Sequence, residues 1–385
     1  MNLYFDNAST SFPKPPDVAE AMCRFLTQEG GTYGRAAYDR VLRATRIVEG
    51  CRDAMAVLLG VDDASKIAFT AGATSAVNVV LNGLFPEGCS REGQQPKKRV
   101  WVSPLEHNAV MRPLARLERL GRITVEVLPG REDGTVDLDR LAALDTERGA
   151  LVVVNHQSNV NGVIQPLKEI CAWARSRGLH VMTDCSQSLP GAPIEVDAWG
   201  VDYAIFTGHK GLLGPTGTGG FFARDPQRLE PLICGGTGSR SDSFEMPDEW
   251  PDRFEAGTPN LVGLAGLGAA LEHRPRAAHE RQDFLDMVSA AAALPGFRVY
   301  RAADPGCQGE LVSITHERLT PSRLSTLLWE EYEVETRAGL HCAPAAHRTI
   351  GTFPQGTVRL AASPYHTPAD LEALLGVLNE IARKR

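Results

Sequence analysis

The chain has 385 residues, long for a single core, so one large domain and a smaller one are expected. Its hydrophobic share of 43% and charged share of 23% are those of a globular protein, and a net charge of −7 argues against a nucleic-acid or anionic-membrane partner. The cysteines, Cys23, Cys51, Cys89, Cys171, Cys185, Cys234, Cys307 and Cys342, include no C-x-x-C pair, which excludes a zinc pattern and a disulfide framework. No metal is expected. The opening "MNLYFDNAST" lacks a basic stretch followed by an apolar run, so no secretory signal is expected. The longest weakly apolar stretch, "LVGLAGLGAAL", is far short of the roughly 20 residues of a membrane span. A cytoplasmic protein with reduced thiols is expected.

In chain order, short apolar runs alternate with stretches of helical period. "KIAFT" reads as a strand, and "GATSAVNVVLNGL" as a small-residue turn that opens a helix near Thr74. The free N–H groups and positive dipole end of such a start make an anion site; the plainer reading is a routine turn capped by Thr74. "RVWVS" and "TVEVLP" are further strands. His107 follows the first of them, just before a helix, and stands either as a capping neighbour or against a ligand. "ALVVVN" ends at Asn155. "PLKEICAWARSRG" carries Leu167, Ile170, Cys171 and Ala174 at i, i+3, i+4 and i+7, with Pro166 as a start and Gly178 as a stop. "LHVMTD" ends at Asp184, with Gln187 beyond it, and "YAIFT" ends at Thr207, followed by His209 and Lys210.

Runs rich in Val and Ile without polar alternation suit strands buried on both faces, and repeated βα units give a parallel sheet between helices. "FFAR" reads as another strand, so "GLLGPTGTGG" before it is neither a Walker A loop nor a dinucleotide fingerprint. "GGTGSRSDSFEMPDEWPDRFEAGTPN" is a long polar loop of functional type. From about residue 275, helices mix with alternating strands such as "GELVSITHE" and "GTVRLAAS", and a second, smaller domain is expected there. The fold class is α/β.

Open parallel sheets bind ligands beyond the carboxyl ends of their strands. That rule collects Ala73, Thr74, His107, Asn155, Asp184, Gln187, Thr207, His209 and Lys210. A lysine desolvated among Gly, His and Thr has the lowered pKa suited to holding an aldehyde, and an acid on another strand end can keep a pyridine nitrogen protonated. Together they suggest pyridoxal phosphate. Cys342 lies in "RAGLHCAP", a loop composition unsuited to burying a thiol, and His341 beside it can favour the thiolate. Arg359, on an alternating strand, can clamp a carboxylate, with a surface ion pair as the plain alternative. Arg337 is a weaker candidate that can simply brace the loop.

"TDCSQSLPG…VDYAIFTGHKGLLGPTGTG" resembles the cofactor-lysine signature of the class V aminotransferases, which have the aspartate-aminotransferase-like PLP fold type I. The resemblance extends through "YFDNAST", "GATSAVN", "EHNAV", "NHQSNVNG" and "FEAGTPN" to "RAGLHCAPAAH…GTVRLAAS". It implies a large domain, 16–274, with a mainly parallel seven-stranded sheet, and a smaller α+β domain made of 1–15 and 275–385. It further implies that Lys210 holds the cofactor covalently, Asp184 pairs with its ring nitrogen, and His107 stacks on the ring and moves a proton. Gln187 would contact the phenolic oxygen, with Asn155 near it and the substrate. Thr74, Thr207, His209 and the Ala73 backbone would hold the phosphate, and Thr258 would complete that of a neighbouring subunit, which implies a homodimer.

Within the family, "RAGLHCAP" is similar to the loop of the second group of cysteine desulfurases and of selenocysteine lyases. That likeness implies conversion of L-cysteine to L-alanine, with a persulfide on Cys342 passed to an acceptor protein and Arg359 on the substrate carboxylate. Leu340, Thr207 and His366 depart from the family pattern. Action on L-selenocysteine, or a transaminase or epimerase in which Cys342 is incidental, are the alternatives.

Overall fold

The computed structural model describes residues 1, 3–34, 36–87 and 97–384. Cys89 lies outside them. The apolar runs form β1 (Ile67–Thr70), β2 (Lys98–Val102), β3 (Ile123–Val127), β4 (Gly149–Asn155), β5 (His180–Asp184), β6 (Tyr203–Thr207) and β7 (Gly219–Ala223). These seven strands make one sheet in the order β1-β7-β6-β5-β4-β2-β3, and only the two pairings of β7 are antiparallel. The expected mainly parallel seven-stranded sheet is therefore present. β4 shows why such a run is apolar without alternation. Leu151 and Val153 enter the core on one face, with Val80 and Leu114, while Val152 and Val154 enter the core on the other, with Ile170 and Val181.

Helices Ala73–Leu84 and Asn108–Arg119 cover the first of these faces, and Leu167–Ser176 and Leu261–Glu272 cover the second. A second, antiparallel sheet joins β8 (Phe297–Tyr300), β9 (Leu311–His316), β10 (Arg337–Gly339) and β11 (Thr357–Ala361) in the order β10-β11-β9-β8. The amino-terminal segment belongs to this part. Tyr4 bridges Glu335, Asp6 bridges Ala361, and Phe5 is buried in the core shared with Ile314 and Leu360. Among the described residues no helix is long and apolar enough to cross a membrane.

The long polar loop is tied down by one buried ion pair. Arg52, on helix Asp39–Leu59, donates to both oxygens of Glu255 at 3.0 and 3.2 Å and to the carbonyl of Ile67. Glu255 also accepts the Phe69 N–H at 2.7 Å, so the segment leading to Thr258 is fastened to β1. Both side chains are nearly inaccessible, at 1% and 8% exposure. Removing one partner of such a pair leaves the other charge stranded, at a cost of about 3–5 kcal/mol. Arg52→Ala should accordingly lower the unfolding free energy extrapolated from urea titration by an amount of that order; an unchanged value would show that water reaches Glu255.

Candidate active site

A cavity of about 360 Å³ opens at the carboxyl ends of β4, β5 and β6, between the two sheets. It is lined by every residue the sequence singled out except Thr258: Ala73, Thr74, His107, Asn155, Asp184, Gln187, Thr207, His209 and Lys210 from the large-sheet side, and Arg337, Cys342 and Arg359 from the other. Thr258 is exposed and lies elsewhere.

One end of the cavity is built for an anion. Helix Ala73–Leu84 starts there behind Gly72, whose φ of 149° suits glycine, and a Cβ on Gly219 would come within 2.6 Å of the Gly72 Cα. The turn and the start of β7 are thus in contact, with Thr74 and Thr207 beside them. His209 brings a buried Nδ1 that has no hydrogen-bond partner. Its carbonyl is held by Thr10 Oγ1 at 3.0 Å, the Ser11 N–H at 3.1 Å and Lys14 Nζ at 3.3 Å. Burial, then Lys210 and Lys14, push the His209 pKa down to about 4, so its ring is neutral.

Lys210 is desolvated, which lowers its pKa to about 8; Asp184 opposes the shift, and Arg359 and Arg337 add to it. Asp184 is 5% exposed and accepts the Ser186 N–H at 2.9 Å. His107 caps helix Asn108–Arg119, accepting the Ala109 N–H on Nδ1 at 3.0 Å. It therefore fills the capping role and lines the cavity as well. Burial first, then Lys210, lower its pKa to about 4. A neutral ring that accepts on Nδ1 carries its proton on Nε2.

Glu106 is a site residue the sequence reading missed. It is fully buried, and Oε1 accepts from Ser103 Oγ and from the Asn155 N–H, each at 2.6 Å. Burial drives its pKa up to about 8, so the carboxyl is protonated at neutral pH and fixes the end of β4 without adding a charge. Asn155 Nδ2 donates to the Leu105 carbonyl at 2.9 Å, and Gln187 Nε2 to that of Ala8 at 2.9 Å.

Cys342 is exposed on the loop between β10 and helix Pro344–Thr349. His341 and Cys342 have φ values of 48° and 56°, in the left-handed region. The loop is held there by the Asn108 N–H, which donates to the Cys342 carbonyl at 2.8 Å, and by Asn159 Nδ2, which donates to the His341 carbonyl at 2.7 Å. His341 does not supply the charge expected beside the sulfur. Burial and Arg359 lower its pKa to about 2. Its Nε2 meets Thr357 Oγ1 at 3.1 Å, and because that hydroxyl donates to Ser313 Oγ, which donates to the Val160 carbonyl, Nε2 must be the donor. The cation at the sulfur is Arg337, whose Nη2 lies 3.8 Å from Cys342 Sγ while Nη1 donates to Ser9 Oγ at 3.0 Å.

Arg359 is 1% exposed and already ion-paired. Nη2 donates to Asp6 Oδ1 and Ser9 Oγ, both at 2.8 Å, and Nη1 to the Asn159 carbonyl at 3.1 Å, which leaves a buried Nε without a partner. Asp6 is the second residue the sequence reading missed, although "YFDNAST" contains it.

The chain belongs to the class-V aminotransferase family, whose model matches residues 3–374. A probable cysteine desulfurase of Methanothermobacter thermautotrophicus is 33% identical, with 99% of this chain and 95% of that protein covered. The cysteine desulfurase CsdA of Escherichia coli is 31% identical, covering 98% and 93%. The apo structure of a cysteine desulfurase from Thermococcus onnurineus superposes with a TM-score of 0.89 at 27% identity, over 100% of this chain and 95% of that one. The architecture is thus PLP fold type I, as the sequence motifs imply.

Two pH dependences follow from these surroundings. In the cofactor-free protein, reductive alkylation of Lys210 by an aldehyde, followed by peptide mapping, should rise with a midpoint near pH 8; a midpoint at the ordinary lysine value would contradict its desolvation. Glu106 ionises near pH 4.3 when unfolded but near 8 when folded, so the folded chain holds the extra proton between those values and stability falls as pH rises across them. Glu106→Gln should flatten that fall in urea midpoints measured from about pH 5 to 8.

Proposed function

We propose that this chain is a pyridoxal-phosphate-dependent cysteine desulfurase that converts L-cysteine to L-alanine and takes the sulfur onto Cys342. The observation that carries the reading is an exposed thiol, on a loop pinned at both carbonyls, lining the same cavity as a desolvated lysine. The cavity fits the cofactor. The helix start at Ala73 and the unpartnered His209 Nδ1 suit a phosphate, with Thr74 and Thr207 beside them. Asp184 offers a carboxylate for the ring nitrogen, Gln187 and Asn155 their amides for the ring oxygen, and Lys210 an amine for the aldehyde. When bound, the cofactor supplies an electron-withdrawing ring that loosens the bonds at the substrate's α-carbon.

The chain's own residues do the rest. With a pKa near 8, Lys210 Nζ can take the α-proton and return it. His107, neutral and fixed by its cap, moves a proton at Nε2. Arg359 offers its free Nε edge to the substrate carboxylate, which would compete with Asp6 for the guanidinium. Cys342 Sγ attacks the substrate's sulfur, with Nη2 of the Arg337 guanidinium 3.8 Å away.

The same reading assigns 16–274 as the cofactor-binding domain, and 1–15 with 275–385 as the domain carrying Cys342 and Arg359. The bridges of Tyr4 to Glu335 and of Asp6 to Ala361 support that division. Thr258, exposed and outside its own cavity, is read as completing a neighbour's phosphate site in a homodimer. A nucleophile that must stay reduced suits a cytoplasmic setting.

Borohydride treatment should fix pyridoxal phosphate to Lys210, and a labelled peptide centred on another lysine would overturn the cofactor assignment. Cys342→Ala should keep the cofactor and form almost no alanine from L-cysteine. In the wild type, one added sulfur should map to the peptide containing Cys342 after a single turnover. Alanine from L-cysteine at the wild-type rate in the variant would remove Cys342 from the reaction. Alanine from L-selenocysteine alone would move the assignment to a lyase.

A further inference from the structure

Cys342 also reaches a second, outer cleft. It is about 350 Å³ and lies between helices Ala73–Leu84 and Asn108–Arg119, with Asn78 on one wall and Arg112 and Arg116 on the other. Arg112, Arg116 and Arg119 follow the i, i+4, i+7 spacing, so they form one exposed cationic ridge leading away from the sulfur. Arg116 Nη1 donates to the neutral Asn82 Oδ1 at 3.3 Å. The helix's one acid, Glu118, is engaged with the Val125 N–H. A ridge of this sign stands out on a chain whose net charge is −7.

We propose that this cleft is where the sulfur acceptor docks, and that the acceptor is a peptide segment whose cysteine is flanked by acidic residues. The inference rests on the desulfurase reading above. The acceptor's thiolate attacks the outer sulfur of the Cys342 persulfide and forms a new S–S bond. The bond between that sulfur and Cys342 Sγ breaks, and its electron pair returns to Sγ as a thiolate beside Arg337. The outer sulfur moves with its proton, so no external oxidant or reductant is required. The ridge acts earlier, by drawing a negatively charged segment to the cleft.

The test uses holoenzyme loaded by one turnover of L-cysteine, with short single-cysteine peptides flanked by glutamates or by serines as probes. Mass spectrometry follows the loss of the extra sulfur from Cys342. At low ionic strength the acidic peptide should react about tenfold faster than the neutral one, and the ratio should approach one in about 1 M salt. Combined Arg112→Glu and Arg116→Glu should reverse the preference, and Arg112→Gln with Arg116→Gln should abolish it. Both should leave first-turnover alanine unchanged. Equal rates for the two peptides with the wild type, or a preference that survives charge reversal, would overturn the docking site while leaving the desulfurase reading intact. Absence of a persulfide in the first turnover would instead overturn that reading, and the docking site with it.

Discussion

The parallel register of the central strands is the constraint on which the site depends. Asn155 stands opposite Asp184, and Asp184 opposite Ile205, so β4, β5 and β6 end at nearly one level. Both faces of these strands are packed with apolar side chains, so a polar residue can be accommodated only at the rim. The backbone at the rim is itself satisfied. The His156 N–H goes to the Asp184 carbonyl at 3.1 Å, the Cys185 N–H to that of Ile205 at 2.9 Å, and the Asn155 N–H to Glu106. The side chains of Asp184, Thr207 and Lys210 line the cavity at this rim.

Charge in the cavity is deliberately unbalanced. Lys210, Arg337 and Arg359 line it, and Asp184 lines it against them. Burial lowers the pKa of both Lys210 and Arg359, which marks the strain of holding cations close together in a dry space. Asp6 and Ser9 relieve part of it from the amino-terminal segment. Such a cavity gains from anionic guests, and a phosphate, an amino-acid carboxylate and a thiolate are all anions. Glu106, being protonated, stabilises the strand end without cancelling that surplus.

Much of this was legible in the sequence because apolar runs ended abruptly in polar residues. Asp184, Thr207 and Lys210 could be placed at strand ends from local pattern alone, and the cysteine loop from its composition. The contacts that could not be read join distant segments. Asp6 and Arg359 are 353 positions apart and meet only because the amino terminus pairs with β11. The state of His341 depends on a relay through Thr357 and Ser313 to Val160, three segments with no shared local pattern. Sequence adjacency pointed to His341 as the neighbour of the sulfur, whereas the strand geometry of β10 delivers Arg337 instead. The expectation for Thr258 rests on family resemblance alone, since its exposed loop carries no local sign of a ligand.

The cysteine loop shows how position is maintained at a cost. Two consecutive non-glycine residues in the left-handed region disfavour the loop by about 1–2 kcal/mol each. Glycine at either position would remove that cost, and would also remove the imidazole that anchors to Thr357 or the thiol itself. The conformation persists because Asn108 and Asn159, from the large-sheet part, hold the two carbonyls, while Thr357 and Arg337, from the smaller sheet, hold the side chains. The sulfur is therefore referenced to both parts of the molecule at once. Its distance from Lys210 is set by how those parts meet, which explains why the chain spends buried polar groups on that junction and not on the loop alone.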